Sequence, residues 1–427
     1  MASVVFIAGR DPRANLGCSH CIYVRTQAFA ARRAGYAAHL VYLAPQSGTA
    51  ETDFGTVHAA ATAWRTLRQN RMPWFSRILA ERAAALARSL GEDTVVLHGV
   101  GVWGHAAARA DALASGRRAL VQSAYTTHLD ETASQWRGLR SSAGWRIHSR
   151  LAFELMWSRA MVSRYEAAGY RRARRVLVNY RSIQQMVGRR FGVAAEIVPY
   201  TVEQEFVATA PSSAPARGPG PARIVCVARH DPRKGIDVLL EALVRLKREG
   251  LGFSATLIGD GAQLTANRRL VRALGLSDRV EILGVVPCVE PYLGEADIFV
   301  LPSREEQSGS LALIEAMRVG LACVASGCDG IPEDARHLVD AWLAAPGDAR
   351  SLARGLGALI ADPALRVKLA TGARRRFEQR FSADVMSSAL DRVYREVLTE
   401  ARAGAPKTAR QTGRSGGAAP AADQPGG

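Results

Sequence analysis

Residues 296–326 read "ADIFVLPSREEQSGSLALIEAMRVGLACVAS". In Asp297–Leu301 the four residues after Asp297 are continuously apolar, the pattern of a strand covered on both faces. A polar loop, Pro302–Ser310, follows it, and a helical pattern carrying one acid, Glu315, comes next. Gly320 stops that helix, and "LACVAS" (Leu321–Ser326) reads as another strand. A strand, a helix and a strand within thirty-one residues make one unit of a parallel sheet.

The same grammar runs outward in both directions. Upstream lie "RIVCVAR", "GIDVLLEALVRLKREG", "FSATLIGDG", "AQLTANRRLVRALG" and "VEILG". An earlier series opens with "SVVFIAG" (Ser3–Gly9) and a helix from about Ile22 to Arg33 stopped by Gly35. It continues through "AHLVYLA", "TVVLHG", "ALVQSAY" and "RVLVNY". Between the two series, "ATAPSSAPARGPGPA" (Ala208–Ala222) is rich in Pro, Gly, Ser and Ala and reads as a boundary. The expected organisation is a first unit over 1–207, a linker over 208–222 and a second unit over 223–380. Residues 381–402 form a C-terminal helix returning to the first unit, and 403–427 a low-complexity tail. Two α/β units facing each other place a ligand cleft between them, at the carboxyl ends of their strands.

No apolar run reaches the length of a membrane span, and the N-terminus lacks a basic region before its apolar run. Six scattered cysteines suggest reduced thiols in the cytoplasm, and the Cys18–Cys21 spacing lacks a second ligand pair. Net charge is +17, which implies an anionic partner: a phosphorylated substrate, a membrane surface or nucleic acid. The excess is uneven. Residues 136–175 hold ten arginines and two glutamates, interleaved with Trp136, Trp145, Trp157, Tyr165 and Tyr170. That mixture suits an anionic headgroup layer, stacking on nucleotides, or a plain solvated face. No nucleic-acid recognition module matches it, and no G-x-G-x-x-G follows the first strand.

Three loops carry chemistry. In "VARHDPRKGID" (Val227–Asp237), Arg229 and Lys234 stand five apart at a strand end, where two cations can meet a diphosphate. "LIGDGAQL" (Leu257–Leu264) lacks a third glycine and reads as a tight turn. In the 302–310 loop, Ser308 or Ser310 can cap the following helix, and Gly309 allows close approach to the backbone. Free amides at that helix start suit anionic oxygens. Glu315 suits vicinal hydroxyls such as a ribose's, and Glu306 and Gln307 can accept from sugar hydroxyls. Cations for a diphosphate, amides for its oxygens and carboxylates for hydroxyls together describe a nucleotide sugar.

These motifs, with "LGVVP" and "CDGIPED", resemble in order and spacing the C-terminal half of the family 4 retaining glycosyltransferases. The resemblance spans about 160 residues; "RAGYAAHLV" and "TVVLHG" extend it more loosely into the first half. It implies an α/β architecture of two Rossmann-like domains facing a cleft (GT-B), acceptor on the first and donor on the second. It implies transfer from a UDP- or GDP-sugar with retention of configuration, without metal or other cofactor, to a carbohydrate, lipid-linked or small-molecule acceptor. On this pattern Arg229 and Lys234 stabilise the leaving diphosphate, Glu315 holds the ribose, and Gly284 and Val285 meet the base. The amides of Ser310, Leu311 and Ala312 face the phosphates or the sugar. Gly17 lies in the first loop, and Tyr125 or His128 lies on the acceptor side. The sequence departs from the family's E-x7-E pattern at Gln307, so Glu306 or Gln307 fills the first acidic place. The alternatives are a GT-B phosphorylase or a synthase accepting a sugar phosphate, and more remotely a nucleic-acid-binding Rossmann protein. A cytoplasmic enzyme, peripheral at the inner membrane face, is the expected setting.

Overall fold

The computed structural model describes residues 1–13, 19–63, 72–91, 94–114, 119–127, 129, 132–133, 145–207, 220–306 and 308–404. The first half runs β1 (Ser3–Ile7), α1 (Ser19–Arg33), β2 (Ala37–Ala44), β3 (Gly48–Thr52), β4 (Gly55–Ala61) and α2 (Met72–Leu90). It continues with β5 (Val95–Val100), α3 (Gly104–Leu113), β6 (Leu120–Ala124), α4 (Trp145–Trp157), α5 (Ser163–Arg172), β7 (Arg175–Val178), α6 (Arg181–Phe191) and β8 (Glu196–Ile197). Its eight strands lie in the order β3-β4-β2-β1-β5-β6-β7-β8, parallel except for the β3–β4 hairpin. All five residues of β1 are buried, because helices cover both faces of the sheet.

The second half runs β9 (Ala222–Val227), α7 (Ile236–Arg248), β10 (Phe253–Ile258), α8 (Leu264–Ala273), β11 (Val280–Gly284), β12 (Ile298–Leu301), α9 (Leu311–Arg318), β13 (Ala322–Ser326) and β14 (Trp342–Ala344). The strand order is β11-β10-β9-β12-β13-β14, all parallel. The order reverses between β9 and β12, so the loops leaving Val227 and Leu301 diverge and open a crevice there.

Three helices end the described chain: α10 (Ala349–Ala361), α11 (Pro363–Arg380) and α12 (Ala383–Arg402). The sequence pattern is continuously helical here, and caps divide it. Asp362 accepts the Leu365 N–H with Pro363 in the first turn, and Ser382 accepts the Val385 N–H. The β3–β4 hairpin is absent from the sequence reading, because "GTAET" shows no clean apolar alternation.

Helix α12 lies against the first half. Tyr394 Oη is 2.8 Å from His98 Nδ1 on β5, and the His98 Nε2 lies 2.7 Å from Ser123 Oγ. Glu400 pairs with Arg174 and Arg175, and Tyr36 donates to Asp391 at 3.1 Å. His98 is fully buried among these groups, and loss of hydration pulls its pKa down to about 3, so it is held neutral.

Candidate active site

The loop after β9 is built tightly. Asp231 accepts the Arg233 N–H at 3.2 Å and starts a single turn, Pro232–Lys234. Gly235 then takes φ +62°, and a Cβ there would stand 2.2 Å from the Pro302 carbonyl. Only glycine fits both the left-handed backbone and that approach. The loops after β9 and β12 are therefore packed edge to edge. Arg304 ties them again with two 2.7 Å bonds to Asp237 at the start of α7.

This contact brings Lys234 to Glu306. The Lys234 Nζ lies 2.6 Å from Glu306 Oε1, with side-chain exposures of 16% and 4%. Ser303 Oγ donates to the same oxygen, and the Glu306 N–H donates to Asp329 at 2.6 Å. Arg229 stands nearby with half its side chain in solvent, pairing with Asp231 at 2.9 Å. One cation is thus largely buried and neutralised by the loop acid, while the other is exposed on a short local pair.

The helix start follows. Ser310 caps α9 by accepting the Leu313 N–H at 3.5 Å, and Leu311 and Ala312 form the first turn beside the crevice. Ser308 is buried; its carbonyl accepts the Gly330 N–H at 3.3 Å. Gly309 leaves no room for a side chain: a Cβ would meet the Tyr180 hydroxyl at 1.7 Å and Asp334 Oδ2 at 2.2 Å.

Glu315 lies one turn into α9. It accepts 3.3 Å from Gln204 Nε2, on the segment connecting the two halves. Burial pushes its pKa up to about 7; the Gln204 bond opposes that, and nearby Glu290 adds to it. The connecting segment is stapled on both sides. Glu203 accepts from Arg25 Nε and Nη2 at 2.6 and 2.8 Å, and Glu205 takes the buried Arg318 at 2.9 Å.

Gly284 ends β11 at φ +85°, its carbonyl accepts the Gly259 N–H at 2.8 Å, and Val285 beyond it is exposed. On the facing half, Tyr125 stacks on Tyr23 with centroids 3.9 Å apart. Tyr23 in turn meets Tyr200 edge-on at 5.4 Å. The structure therefore gathers Lys234, Glu306, Ser308, Gly309 and Ser310 along one seam of the second half. Arg229 lies on the same β9 loop, Glu315 is a turn deeper, and Gly284 and Val285 sit at the neighbouring strand end. Gly17, His128 and Gln307 lie outside the described residues. Sequence reasoning missed Tyr23, Tyr180, Tyr200, Gln204 and Asp334, which join the halves. Asp334 stands inside the quoted "CDGIPED", but its spacing to Tyr180 carries no local signal. Among the described residues, no group of three or more His, Cys, Asp or Glu is placed to hold a metal.

Residues 221–362 match a family model described as glycosyl transferases group 1. Over 173 residues the chain is 41% identical to the amylovoran biosynthesis glycosyltransferase AmsK of Erwinia amylovora, covering 39% of this chain and 42% of that one. The chain thus spans less than half the length of that curated relative. Among solved structures, a sucrose-phosphate synthase from Thermosynechococcus elongatus superposes with a TM-score of 0.69 at 19% identity, over 93% of this chain and all of the other. HepE of Anabaena, solved with UDP-glucose, gives 0.64 at 18% identity, over 94% of this chain and all of the other. The fold is the two-domain GT-B architecture.

Proposed function

We propose that this chain is a retaining glycosyltransferase. It moves a sugar from a UDP- or GDP-sugar to a carbohydrate, lipid-linked or small-molecule acceptor in cell-surface polysaccharide, glycolipid or glycoside assembly. The observation that carries this is the Lys234–Glu306 pair set beside the capped start of α9 at the β9/β12 reversal. A diphosphate entering there meets Lys234, Arg229 and the first amides of α9, and a ribose reaches Glu315. The named activity of AmsK and the UDP-glucose bound to HepE support the same reading.

The chemistry rests on position and charge. Arg229 can turn from Asp231 toward the leaving diphosphate, because its own side chain is half in solvent. Lys234 shares its charge between Glu306 and the phosphate oxygens, so bond breaking draws it toward the leaving group. The donor's own phosphate oxygen takes the acceptor hydroxyl proton on the face of attack, and configuration is retained without a metal ion. Charge stabilisation of this kind contributes about 2–4 kcal/mol per donor group.

We infer further that the chain sits at the inner face of a membrane. Trp74 at the start of α2 and Phe153 and Met156 on α4 are exposed, and Arg159 and Arg164 are exposed just beyond. Apolar side chains among arginines suit the anionic inner face of a membrane. Among the described residues, no helix is long and apolar enough to cross one.

Thermal-shift and hydrolysis screening against a panel of UDP- and GDP-sugars tests the activity. A stabilising donor whose effect disappears in Glu315→Ala supports it; no response to any member overturns it. Co-sedimentation with vesicles containing phosphatidylglycerol, at low and high salt, tests the placement, and protein left in the supernatant at low salt removes it.

A further inference from the structure

The seam between the halves contains a contact that the donor reading leaves unused. Tyr180, just before α6 in the first half, is fully buried and sends its hydroxyl into the second half. It donates to Asp334 Oδ2 at 2.8 Å, and Asp334 is 0% exposed. A phenol has one proton. That proton points at the carboxylate, and the Tyr200 hydroxyl oxygen lies 3.1 Å from the Tyr180 oxygen. The neighbouring Glu333 accepts the backbone N–H groups of Arg181 and Ser182 at 2.9 and 3.3 Å. Two successive acids of the Ile331–Asp334 turn thus grip the start of one first-half helix.

The same phenol underlies the donor loop. Gly309 is glycine because Tyr180 Oη and Asp334 Oδ2 occupy the space a side chain would need. The Ser310 backbone N–H also faces the Asp334 carboxyl and favours its charged form. The segment Ser308–Ser310, which leads into the start of α9, therefore rests on a floor that belongs jointly to both halves.

We propose that Tyr180 is a positioning residue for nucleotide-sugar binding: its bond to Asp334 holds the 308–310 backbone in place, so that donor affinity depends on the two halves being joined at this contact. This rests on the function proposed above. The groups facing Asp334 are Tyr180, the Ser310 amide, Arg380 and Glu333, with Tyr200 and Tyr23 behind Tyr180 and Arg376 bonded to the Asp334 carbonyl at 2.9 Å.

The experiment compares Tyr180→Phe, Asp334→Asn and the double variant with wild type, using Tyr36→Phe as a control for losing a phenol elsewhere. Amide exchange by mass spectrometry is read without ligand over residues 308–313. Tyr180→Phe is expected to speed exchange there about tenfold while β1 and β9 stay protected, and the control to leave it unchanged. Calorimetry with UDP and UDP-glucose is expected to show about tenfold weaker binding in Tyr180→Phe. Donor KM should rise to match with kcat within about twofold, and the double variant should bind no more weakly than either single. Unchanged exchange over 308–313, or additive losses in the double variant, overturns the proposal. Faster exchange in Tyr180→Phe, together with a wild type that binds neither UDP nor any UDP- or GDP-sugar, upholds the loop contact and overturns the donor reading instead.

Discussion

The two halves share a plan, and the crevice loops of the second are built more tightly than the turn that follows α1 in the first. In the second half, the loops after β9 and β12 meet so closely that Gly235 has a carbonyl 2.2 Å from where a Cβ would stand. In the first half, Gly35 also has a positive φ, +89°, but nothing lies within 4 Å of its missing side chain. The first glycine is required by both backbone and neighbours; the second is required by backbone alone. On the proposed function, a cleft that presents two cations, a capped helix start and an acid to one small molecule leaves little freedom to the residues between them. A sheet that need only stay covered leaves much. The segment that matches the family model, 221–362, lies in the second half.

The largest effect is expected at Lys234. Lys234→Ala is expected to lower kcat/KM by about 10²–10³-fold, the usual cost of one charge-stabilising donor. It also strands Glu306, 4% exposed, without its partner. A variant that keeps near-normal activity would show that the tight loops serve packing rather than chemistry. The glycines come next. Gly235→Ala should cost more than about 3 kcal/mol, because strain and overlap combine, and Gly35→Ala about 1 kcal/mol. Equal midpoints in urea would erase the contrast.

A smaller effect is set by protonation. The Glu315 pKa of about 7 means the acid loses its charge as pH falls from 8 to 6. Donor affinity should then drop about tenfold across that window, and Glu315→Gln should flatten most of the drop. The sign for stability is opposite. Burial raises the pKa of both Glu315 and Asp334 to about 7, so folding favours their neutral forms. Their contribution is full below the unfolded carboxyl range and is lost as pH rises through 7. Melting temperature is expected to fall from pH 5 to 7.5, less steeply in Glu315→Gln. The smallest effect belongs to the periphery: Arg33→Ala removes an exposed pair with Asp384 and should cost under about 1 kcal/mol by urea titration.

Much of this was legible in the amino acids, for identifiable reasons. Inside "RIVCVAR" and "DIFVL", Ile224–Ala228 and Ile298–Leu301 are continuous apolar runs, and a strand buried on both faces can hardly look otherwise. Arg229, Lys234 and Glu315 were legible as candidates because a strand end and a helix start fix where short loops can point. The hairpin β3–β4 was not, since "GTAET" is too polar and short to show a period. The Tyr180–Asp334 contact was not, since 154 residues separate its partners and each is locally unremarkable in pattern. Glu306 and Gln307 are adjacent in the chain, and spacing alone left the choice open. The structure places Glu306 on Lys234.

The last helix, α12, has a consequence for how the molecule is made. Its Tyr394 closes over His98 and its Glu400 answers Arg174 and Arg175, all in the opening part of the chain. The first domain is therefore discontinuous along the polypeptide. During synthesis its sheet can form early, but one flank stays uncovered until the ribosome releases residues near 400. A protein shortened before Ala383 would leave that flank bare, and the damage would appear far from the cut.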